Sequence, residues 1–405
     1  MIAAVVLAAA IAAPKEFAQE PLRQALQEAV DISPDVAQAR EHVNENRALL
    51  AAARGLASPA LIANYAQAPQ GGNNNTTITQ RLVTVGGQVT IGDYLSYAPA
   101  VRQAAYTLTQ AEFDLLAAQR IERLKVADQY FGALRAAATL DLRRQDAAGA
   151  QSDLRAAQIR FRAGDAPRLD VVRAQVALAN AQAGYDAAEV DLHNAIDALS
   201  LETGRPASSF SPLRASPTSG PNLTVEKAVA RALATRSDYA SAQQAVEAER
   251  AAVSLAQHGA FPALSVNAGY TTGVDSGVAV HGPSANVNLS VPISHTARDR
   301  AEAERARLAS AQFRVEGVRR QIVLDVTNAV RTFDASARAS AAAARARAAA
   351  QEELRATQIG YRSGASSSLD VADARRTYLQ AALNELDAVY AQAQAAAKLE
   401  MEVGP

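Results

Sequence analysis

The sequence offers few side chains whose type and spacing could do chemistry, and two carboxylates are the clearest. Asp370 and Asp373 are three residues apart, so a helix would place them on one face. Carboxylates held this close attract cations and resist being crowded together while charged. The alternative is a solvated helix face, with an aspartate near the helix N-terminus where its charge suits the helix dipole.

No catalytic or metal-binding pattern accompanies these carboxylates. The chain has no glycine-rich phosphate loop, no nucleophile elbow and no zinc-ligand cluster. We therefore expect no enzyme activity, no cofactor and no metal site. The five histidines are scattered and none has ligand spacing: His42, His193, His258, His281 and His295.

The composition excludes further classes. The 405 residues contain no cysteine, which excludes disulfides, thiolate metal sites and a lipidated N-terminal cysteine. The formal net charge is -1 without any block of like charge, which argues against nucleic acid as a partner. Tryptophan is absent and alanine dominates long stretches, which favours long, closely packed helices over a thick globular core.

The N-terminus, MIAAVVLAAAIAA, is apolar but too short to span a bilayer as a helix, which needs about 20 residues. It is typical of the apolar core of a secretory signal, with Ala10-Ile11-Ala12 as the cleavage site. No basic residues precede it, so the start codon is open to reassignment, and an apolar helix tip is the alternative. We interpret residues 1–13 as a signal-peptide remnant, and no other stretch is a candidate transmembrane helix.

A repeat with a period of 200 residues organises the chain. LRAAQIRFRAGDAPRLDVVRA, residues 154–174, aligns without a gap to LRATQIGYRSGASSSLDVADA, residues 354–374, and 11 of the 21 positions are identical. Each half is predicted to contain a helix, two strands, a very long helix, a glycine turn and a return helix. This predicts a first repeat at 20–204, a Pro-, Ser- and Gly-rich equatorial linker at 205–222 and a second repeat at 223–405.

Two segments of the second half alternate apolar and polar residues with the period of a strand. FPALSVNAGY, residues 261–270, and SANVNLSVPI, residues 284–293, each give one apolar and one polar face. Over about ten residues this is typical of a strand in a membrane barrel, although a half-buried strand of a soluble protein has the same period. The first half predicts strands less clearly, at 59–67 and 76–90.

The connections between these strands, PQGGNNN and TTGVDSGVAVHGP, are rich in turn residues and are expected to face solvent. Four strands cannot close a barrel, which needs about eight or more, and lipid does not tolerate an open sheet edge. If the strands lie in a membrane, the chain must therefore form an oligomer. Three copies would supply twelve strands.

Two very long helices are predicted at 98–163, where no proline follows Pro99, and at 296–363, which has no proline. At about 1.5 Å per residue, each would be roughly 100 Å long. An ordinary amphipathic helix is the alternative, but such helices rarely exceed about 25 residues. Spacings of three and four predict a coiled-coil seam through Leu124, Ala127, Phe131, Leu134 and Ala138 and through Val323, Val326, Val330, Phe333, Ala337, Ser340 and Ala344.

Four shorter helices complete the two halves. Return helices are predicted at 169–201 and 369–400, each about half as long as the helix before it. Two further helices, at 21–56 and 223–257, precede the strands.

The duplicated order and its turn residues resemble one known family. Gln158-x-x-Phe161-x-x-Gly164 followed by Leu169-Asp170-Val171, which recurs 200 residues later, resembles the periplasmic hairpin tips of TolC-like outer membrane factors. Ser33-Pro34-Asp35 resembles a motif of the family's first helix, where Asn-Pro is usual, and Ser237-Asp238 occupies the corresponding place in the second half. The resemblance covers about residues 20–404.

The resemblance implies a fold class and partners. The fold would be mainly α with a small β part: long coiled-coil helices form an α-barrel, and four strands per chain contribute to a twelve-stranded transmembrane β-barrel of a homotrimer. Such a duct lies in the outer membrane of a Gram-negative bacterium and extends into the periplasm. A periplasmic adaptor protein joins it to an inner-membrane pump of the RND or ABC type, and drugs, metals or proteins pass through.

The resemblance also assigns the tips a role in docking the adaptor, through Arg162, Gly164, Arg168, Arg362 and Gly364. The two glycines lie where a long helix turns back, which requires the left-handed conformation that glycine tolerates. A helix C-cap without a docking role is the alternative. The tips differ in charge, so we hypothesise that the six tips of a trimer alternate and present two distinct grooves. The first tip carries Arg160, Arg162, Asp165 and Arg168, and the second carries Gly360, Arg362, Ala365 and Ser368.

Asp370, Asp373 and Tyr361 match family positions at the closed periplasmic entrance. Three chains would supply six carboxylates, and such a ring would favour cations and repel anions. Ser366 departs from the family, whose best-known member has a basic residue there that ties the gate closed. In the first half Asp170 matches one acid but Arg173 replaces the other, so we expect the second repeat to line the gate.

The alternative function belongs to another class, that of an interaction protein rather than a channel. A soluble periplasmic coiled-coil scaffold or adaptor could place the four strands in a small soluble sheet. Such a scaffold needs neither two strand pairs with apolar outer faces nor paired long and half-length helices, so the sequence favours the duct.

Overall fold

The computed structural model describes residues 20–56, 58–71, 77–210, 223–259, 261–275, 277–291 and 295–404. The signal-peptide prediction at 1–13 and most of the predicted linker lie outside these residues. The described residues group into two compact units, and each unit takes segments from both halves of the sequence. The first unit draws on Met1–Ala37, Ala117–Arg236 and Arg320–Pro405, and the second on Gln38–Leu116 and Ser237–Arg319.

Four antiparallel strands in the order β1-β2-β3-β4 form the sheet of the second unit. They are β1 (Ala60–Gly71), β2 (Thr77–Thr90), β3 (Ala263–Asp275) and β4 (Val278–Ser290). All four predicted strands are confirmed, but the predicted loop at 271–283 is wrong, and residues 69–71 of the other predicted loop belong to β1. The strands continue through 271–283 until Asp275 pairs with Val278, because two antiparallel strands can be joined by as few as two residues, here 276 and 277.

The two faces of this sheet differ in chemistry. Val85 pairs with Tyr270 and Val266 pairs with Val287, and this apolar face is exposed in the single chain. On the opposite face, the hydroxyl of Thr271 lies 2.8 Å from the Thr84 hydroxyl and donates to the Ser284 hydroxyl at 2.8 Å. The predicted division into an apolar and a polar face is therefore confirmed.

Two glycines let β2 and β3 approach closely on the polar face. Gly86 and Gly269 are cross-strand partners. A Cβ on Gly86 would collide with the backbone of Ala268, and one on Gly269 would collide with the backbone of Val85. The join between the two sequence halves therefore depends on glycine at both positions.

Four long helices form most of the first unit. They are α3 (Ile91–Ala163), α4 (Arg168–Thr203), α7 (Thr296–Ser363) and α8 (Ser368–Val403), and the parts of α3 and α7 before residues 117 and 320 belong to the second unit. The predicted span of α7 is confirmed at both ends. α3 starts seven residues earlier than predicted, because Pro99 removes one backbone hydrogen bond without ending the helix.

Polar contacts place these helices side by side in the order α4, α3, α8, α7. Lys125 of α3 pairs with Glu202 of α4 at 2.7 Å. Arg375 of α8 pairs with Asp153 of α3 at 2.6 Å. Arg347 of α7 pairs with Glu385 of α8 at 2.7 Å.

The two helices predicted before the strands are each broken in two, so those predictions are wrong in one respect. They form α1 (Glu20–Ile32) with α2 (Pro34–Gly55), and α5 (Val225–Thr235) with α6 (Ser237–His258). Pro34 favours a break, because a proline disfavours helical geometry in the preceding residue and suits the first position of a new helix. At the second break Arg236 has an extended backbone, with ψ 125°.

Each break carries a buried polar contact. Ser33 donates to a carboxylate oxygen of Glu122 at 3.1 Å. Glu402 accepts from both Arg236, at 2.5 Å, and Arg120, at 3.1 Å. The breaks are thus fixed by side chains of other helices, which supply partners for groups that would otherwise be buried alone.

The core of the first unit gathers around Tyr130 and Phe131 of α3, whose rings meet edge to face at 6.2 Å. The described start of the predicted linker is anchored here, because Phe210, in a short 3-10 turn at Ala207–Phe210, is buried in the same cluster. Arg205 lies over the Phe210 ring and pairs with Glu28 of α1 at 3.2 Å. Within the part of the chain that the structure describes, no helix is both long and apolar enough to cross a membrane.

Candidate functional site: the paired helical tips

Both long helices end in the same kind of turn. Gly164 and Gly364 have φ of 84° and 80°, the left-handed conformation predicted for them. The N–H of Asp165 donates to the Arg160 carbonyl at 2.9 Å, and the N–H of Ala365 donates to the Gly360 carbonyl at 2.8 Å. These six-residue closures satisfy carbonyls that the helix end would leave free, so the glycines cap the helices.

The return helices start differently at the two tips. At the second tip Ser367 and Asp370 form a capping box: the Ser367 N–H donates to the Asp370 carboxylate at 2.7 Å, and the Asp370 N–H donates to the Ser367 hydroxyl at 3.2 Å. The hydrogen bond from the Ser367 backbone, followed by the one with its side chain, lowers the pKa of Asp370. At the first tip Pro167 occupies the N-cap and no side chain caps the helix.

Two contacts join the tips to each other. The Arg160 guanidinium lies over the ring of Tyr361, with Cζ 4.4 Å from the ring centroid, and donates to the Tyr361 carbonyl at 3.0 Å. In the other direction, the Ser368 hydroxyl donates to the Asp170 carboxylate at 2.6 Å. Each tip therefore holds a residue of the other, and together the contacts fix the spacing of the two hairpins.

The two predicted gate carboxylates already have partners inside one chain. Asp370 is bonded in the capping box, and Asp373 pairs with Arg376 one turn along the same helix at 3.1 Å. Both aspartates are exposed. Within one chain Asp370 thus caps the start of α8, as the alternative from the sequence predicts.

Behind the tips, Arg375 crosses from α8 to two aspartates of α3. It pairs with Asp153 at 2.6 Å and lies 3.9 Å from Asp146. Burial raises the pKa of both aspartates, and the charge of Arg375 opposes the shift. Gly149 makes room for the contact, because a Cβ there would collide with the guanidinium.

The residues predicted to dock an adaptor are exposed at the turns. Arg162, Arg168 and Arg362 are exposed, and none of them forms a salt bridge with another described residue. Phe161 and Leu169 add exposed apolar surface to the first tip. The site is therefore basic and partly apolar at its outer surface, whereas its inner contacts are between the tips.

Sequence patterns predict which segments form the tips but not which side chains join them. From the sequence alone, Arg160 contributes only a charge, and Ser368 and Arg375 have no predicted role. The repeat held a usable signal, because positions 160 and 375 are Arg where the other half has Gly360 and Gln175. Among the described residues, no group of three or more His, Asp or Glu side chains is placed to hold a metal ion.

Comparison with known proteins identifies one family model that matches both halves of the chain. The model of the family described as outer membrane efflux protein matches residues 25–205 and again residues 228–404. Outer membrane protein TolC of Vibrio cholerae serotype O1 is 29% identical over 308 residues, which are 73% of this chain and 70% of that protein. The pyoverdine export outer membrane protein OpmQ of Pseudomonas aeruginosa is 26% identical over 294 residues, covering 68% of this chain and 60% of that protein.

Solved structures share the fold. The crystal structure of CusC superposes with a TM-score of 0.82 at 19% identity, over 95% of this chain and 92% of that one. The outer membrane protein VceC from Vibrio cholerae gives 0.79 at 18% identity, over 95% and 96%. The predicted fold class, long helices with a small β part, is confirmed.

Proposed function

The chain belongs to the outer membrane efflux protein family, and on that premise we propose that it is the exit duct of a tripartite efflux or type I secretion system. It acts as a homotrimer in the outer membrane of a Gram-negative bacterium and extends into the periplasm. Cargo delivered by an inner-membrane pump passes through it without any chemical step. The two sequence repeats, at 20–204 and 223–405, and the equatorial linker at 205–222 each contribute to one continuous conduit.

The observation that carries this proposal is the incomplete sheet. Its apolar side chains are exposed in a single chain, with Leu61 at 85% and Val287 at 63%. Its other face is polar, and no other strand of the described residues pairs with the outer edges of β1 and β4. Lipid accepts an apolar face but no open edge, so a closed barrel of twelve strands from three chains satisfies both requirements.

The tips are the proposed docking surface for a periplasmic adaptor. Arg162, Gly164 and Arg168 form the first surface, and Arg362 and Gly364 form the second. The first is more basic than the second, which supports two distinct grooves around a trimer. An adaptor hairpin that fits the first groove would carry carboxylates beside apolar side chains.

The same tips are the proposed gate. Tyr361 is held by Arg160, and Asp370 and Asp373 follow on the exposed side of α8. Crowding of carboxylates from three chains disfavours closure, and the contacts between the tips oppose that repulsion. Opening would separate Tyr361 from Arg160 and Ser368 from Asp170.

The test is purification from detergent-solubilised outer membranes, followed by mass determination and planar-bilayer conductance on one preparation. We expect a trimer that conducts, and we expect Asp370→Ala with Asp373→Ala to change its conductance. A trimer whose conductance is unchanged by both substitutions would contradict the proposed gate but not the proposed duct. A soluble species without conductance would overturn the duct in favour of a periplasmic scaffold.

A further inference from the structure

One arginine interrupts the apolar face of the sheet. Along β2 this face carries Arg81, Val83, Val85, Gly87 and Val89, because alternate residues of a strand point to the same side. Arg81 is exposed, and it forms no salt bridge or hydrogen bond with another described residue. An arginine on the lipid face of a barrel is costly at the middle of the bilayer and much less so near its edge. Its level along the strand therefore decides what it can contact.

Arg81 lies at one edge of the apolar band. Cross-strand pairing places it level with Val274 of β3, and Leu264 lies on the same face ten residues earlier, near the start of that strand. At about 3.4 Å per residue these ten residues span about 34 Å, and a strand tilt of about 40° reduces the height to about 26 Å. The apolar band of a transmembrane barrel is about 25 Å tall, so Arg81 is at the height where hydrocarbon gives way to headgroups.

This edge of the band is the one nearer the hairpin connections. The ladder of β1 and β2 ends where Gly71 pairs with Thr77, four residues before Arg81. The helices α2 and α3 join the same two strands at their opposite ends. In the proposed duct these helices lie in the periplasm, so the hairpin end of the sheet is at the outer leaflet and Arg81 is level with the headgroups of that leaflet.

The neighbours of Arg81 on this face supply further hydrogen-bond donors. Gln67 of β1 is its direct cross-strand partner, so their Cβ atoms are about 5 Å apart. The Tyr65 hydroxyl donates to Gln67 Oε1 at 2.9 Å, which occupies the carbonyl of the amide and leaves its two N–H groups available. Thr272 of β3 is on the diagonal from Arg81 and adds a hydroxyl at a Cβ distance of about 8 Å.

The charge of this face is cationic. His281 of β4 is exposed and is the cross-strand partner of Thr272. Among the described residues of the four strands the only acidic one is Asp275, which directly follows Val274 and so belongs to the opposite face. On the described part of this face, no carboxylate competes with an external anion for Arg81.

We propose that Arg81, with Gln67 and Thr272, binds a phosphate group of an outer-leaflet lipid, once in each copy of the chain. A planar guanidinium suits this ligand because it donates two parallel hydrogen bonds to one phosphate. The apolar side chains on the membrane side of Arg81 contact the acyl chains, so the site recognises a phosphate joined to hydrocarbon. Tyr65 orients the Gln67 amide and places an aromatic ring at headgroup level. The inference rests on the proposed duct and names a ligand for its outer surface.

The experiment uses the full chain, purified as a trimer in detergent, and native mass spectrometry to count bound lipid. The probes are lipid A, which carries phosphate groups, and the same lipid A after chemical removal of its phosphates. We expect up to three phosphate-dependent lipid A molecules per trimer, and several-fold weaker binding of the dephosphorylated form. Arg81→Gln should reduce lipid A binding to the level of the dephosphorylated probe.

Three further variants test the geometry of the site. Arg81→Lys keeps the charge but loses the two parallel hydrogen bonds, so its binding should be intermediate. Gln67→Glu keeps the shape of the side chain but places a carboxylate opposite Arg81, so it should reduce lipid A binding as strongly as Arg81→Gln. The matched control is Arg40→Gln, which removes an exposed arginine of α2 about 22 Å before the end of that helix at Gly55 and should bind like wild type.

The mass of each variant separates loss of the site from loss of the trimer. Equal lipid A binding by trimeric wild type and trimeric Arg81→Gln would overturn the phosphate site and leave the duct standing. Equal binding of lipid A and its dephosphorylated form would overturn the site too, because acyl chains alone would then account for the binding. Displacement of lipid A by millimolar inorganic phosphate would overturn a lipid as the ligand. A wild-type chain that is monomeric and does not conduct would overturn both the site and the proposed duct.

Discussion

Arg160 and Tyr361 come from the ends of different long helices, yet the guanidinium of one lies over the ring of the other at 4.4 Å. The same guanidinium donates to the Tyr361 carbonyl at 3.0 Å, so one side chain holds both the ring and the backbone of the neighbouring tip. Arg160 has no counterpart in the second half, because position 360 is a glycine and carries no side chain. The arginine–tyrosine contact therefore occurs only once among the described residues of the two tips.

Replacing this arginine should loosen the tips. Arg160→Ala removes a cation–π contact worth about 0.5 to 2 kcal/mol and one hydrogen bond worth about 1 kcal/mol. We expect higher single-channel conductance or more frequent opening in a planar bilayer. Arg362→Ala, at an exposed arginine of the other tip, is the control and should behave like wild type. Unchanged conductance of Arg160→Ala would show that this contact does not restrain opening.

A glycine pair in the sheet allows a sharp comparison between neighbours. Gly86→Ala puts a Cβ into the backbone of Ala268, whereas a Cβ on Gly87 meets only the Ala60 carbonyl at 3.9 Å. We expect Gly86→Ala to lower the yield of assembled trimer in outer membranes several-fold, and Gly87→Ala to leave it near wild type. Equal yields of the two variants would mean that β2 and β3 can move apart to accommodate a Cβ at position 86 without impairing assembly.

Arg375 should make the stability of the helices depend on pH. A buried carboxyl whose pKa is raised binds protons more tightly in the folded state, so stability falls as pH rises from the ordinary value near 3.9 through the raised value. Arg375 limits this loss at Asp146 and Asp153. Arg375→Gln should match wild type near pH 3 and become less stable towards pH 7, by about 1 to 2 kcal/mol. This loss of stability is smaller than the usual cost of breaking a buried ion pair, because the Asp153 side chain is 39% exposed and solvent screens its charge.

Thermal dissociation of the trimer across pH measures this effect. Arg375→Gln with Asp153→Asn should recover part of the stability at pH 7, because it removes the unpaired charge. Arg376→Gln alters a pair on the exposed surface and should change stability by less than about 0.5 kcal/mol. A pH-independent loss in Arg375→Gln would indicate lost packing rather than lost charge compensation.

Asp370 should show the opposite dependence. Its pKa is lowered by the Ser367 hydrogen bonds, so its capping contribution is complete above the ordinary value near 3.9 and is lost as pH falls through the lowered value. A spin label on Ala365→Cys should stay equally immobile from pH 7 to about pH 4 and become mobile below that. With Asp370→Asn added, the label should be mobile at every pH. If the mobility of the label still changed with pH in that variant, the change would have to come from the titration of another group.

Adaptor docking is tested by reversing the charges of the first tip. Arg162→Glu with Arg168→Glu should reduce crosslinking to the adaptor several-fold, because both arginines are exposed and free of salt bridges with described residues. Arg40→Glu with Arg54→Glu reverses two exposed arginines of α2 and should have no effect. Unchanged crosslinking of the tip variant would count against a basic groove.

Local patterns predicted the elements well, because they depend on neighbours in sequence. Alternation of Val266, Ala268 and Tyr270 predicted one face of β3, and the absence of proline predicted the extent of α7. The break at Arg236 could not be predicted in this way, because it depends on Glu402, which is 166 residues away. The partners of Arg375 could not be predicted for the same reason, because they depend on the register of α8 against α3, which the sequence of α8 alone does not contain.

The unequal connections of the two hairpins have a practical consequence for engineering. Five residues separate Gly71 from Thr77, whereas two separate Asp275 from Val278. An epitope tag inserted between Gly71 and Thr77 lengthens a connection of five residues, and each doubling of such a length costs only about 0.6 kcal/mol. The same tag inserted at 276–277 would have to break the Asp275–Val278 pair at the end of the β3–β4 ladder. The β1–β2 hairpin is therefore the better place to display foreign peptides.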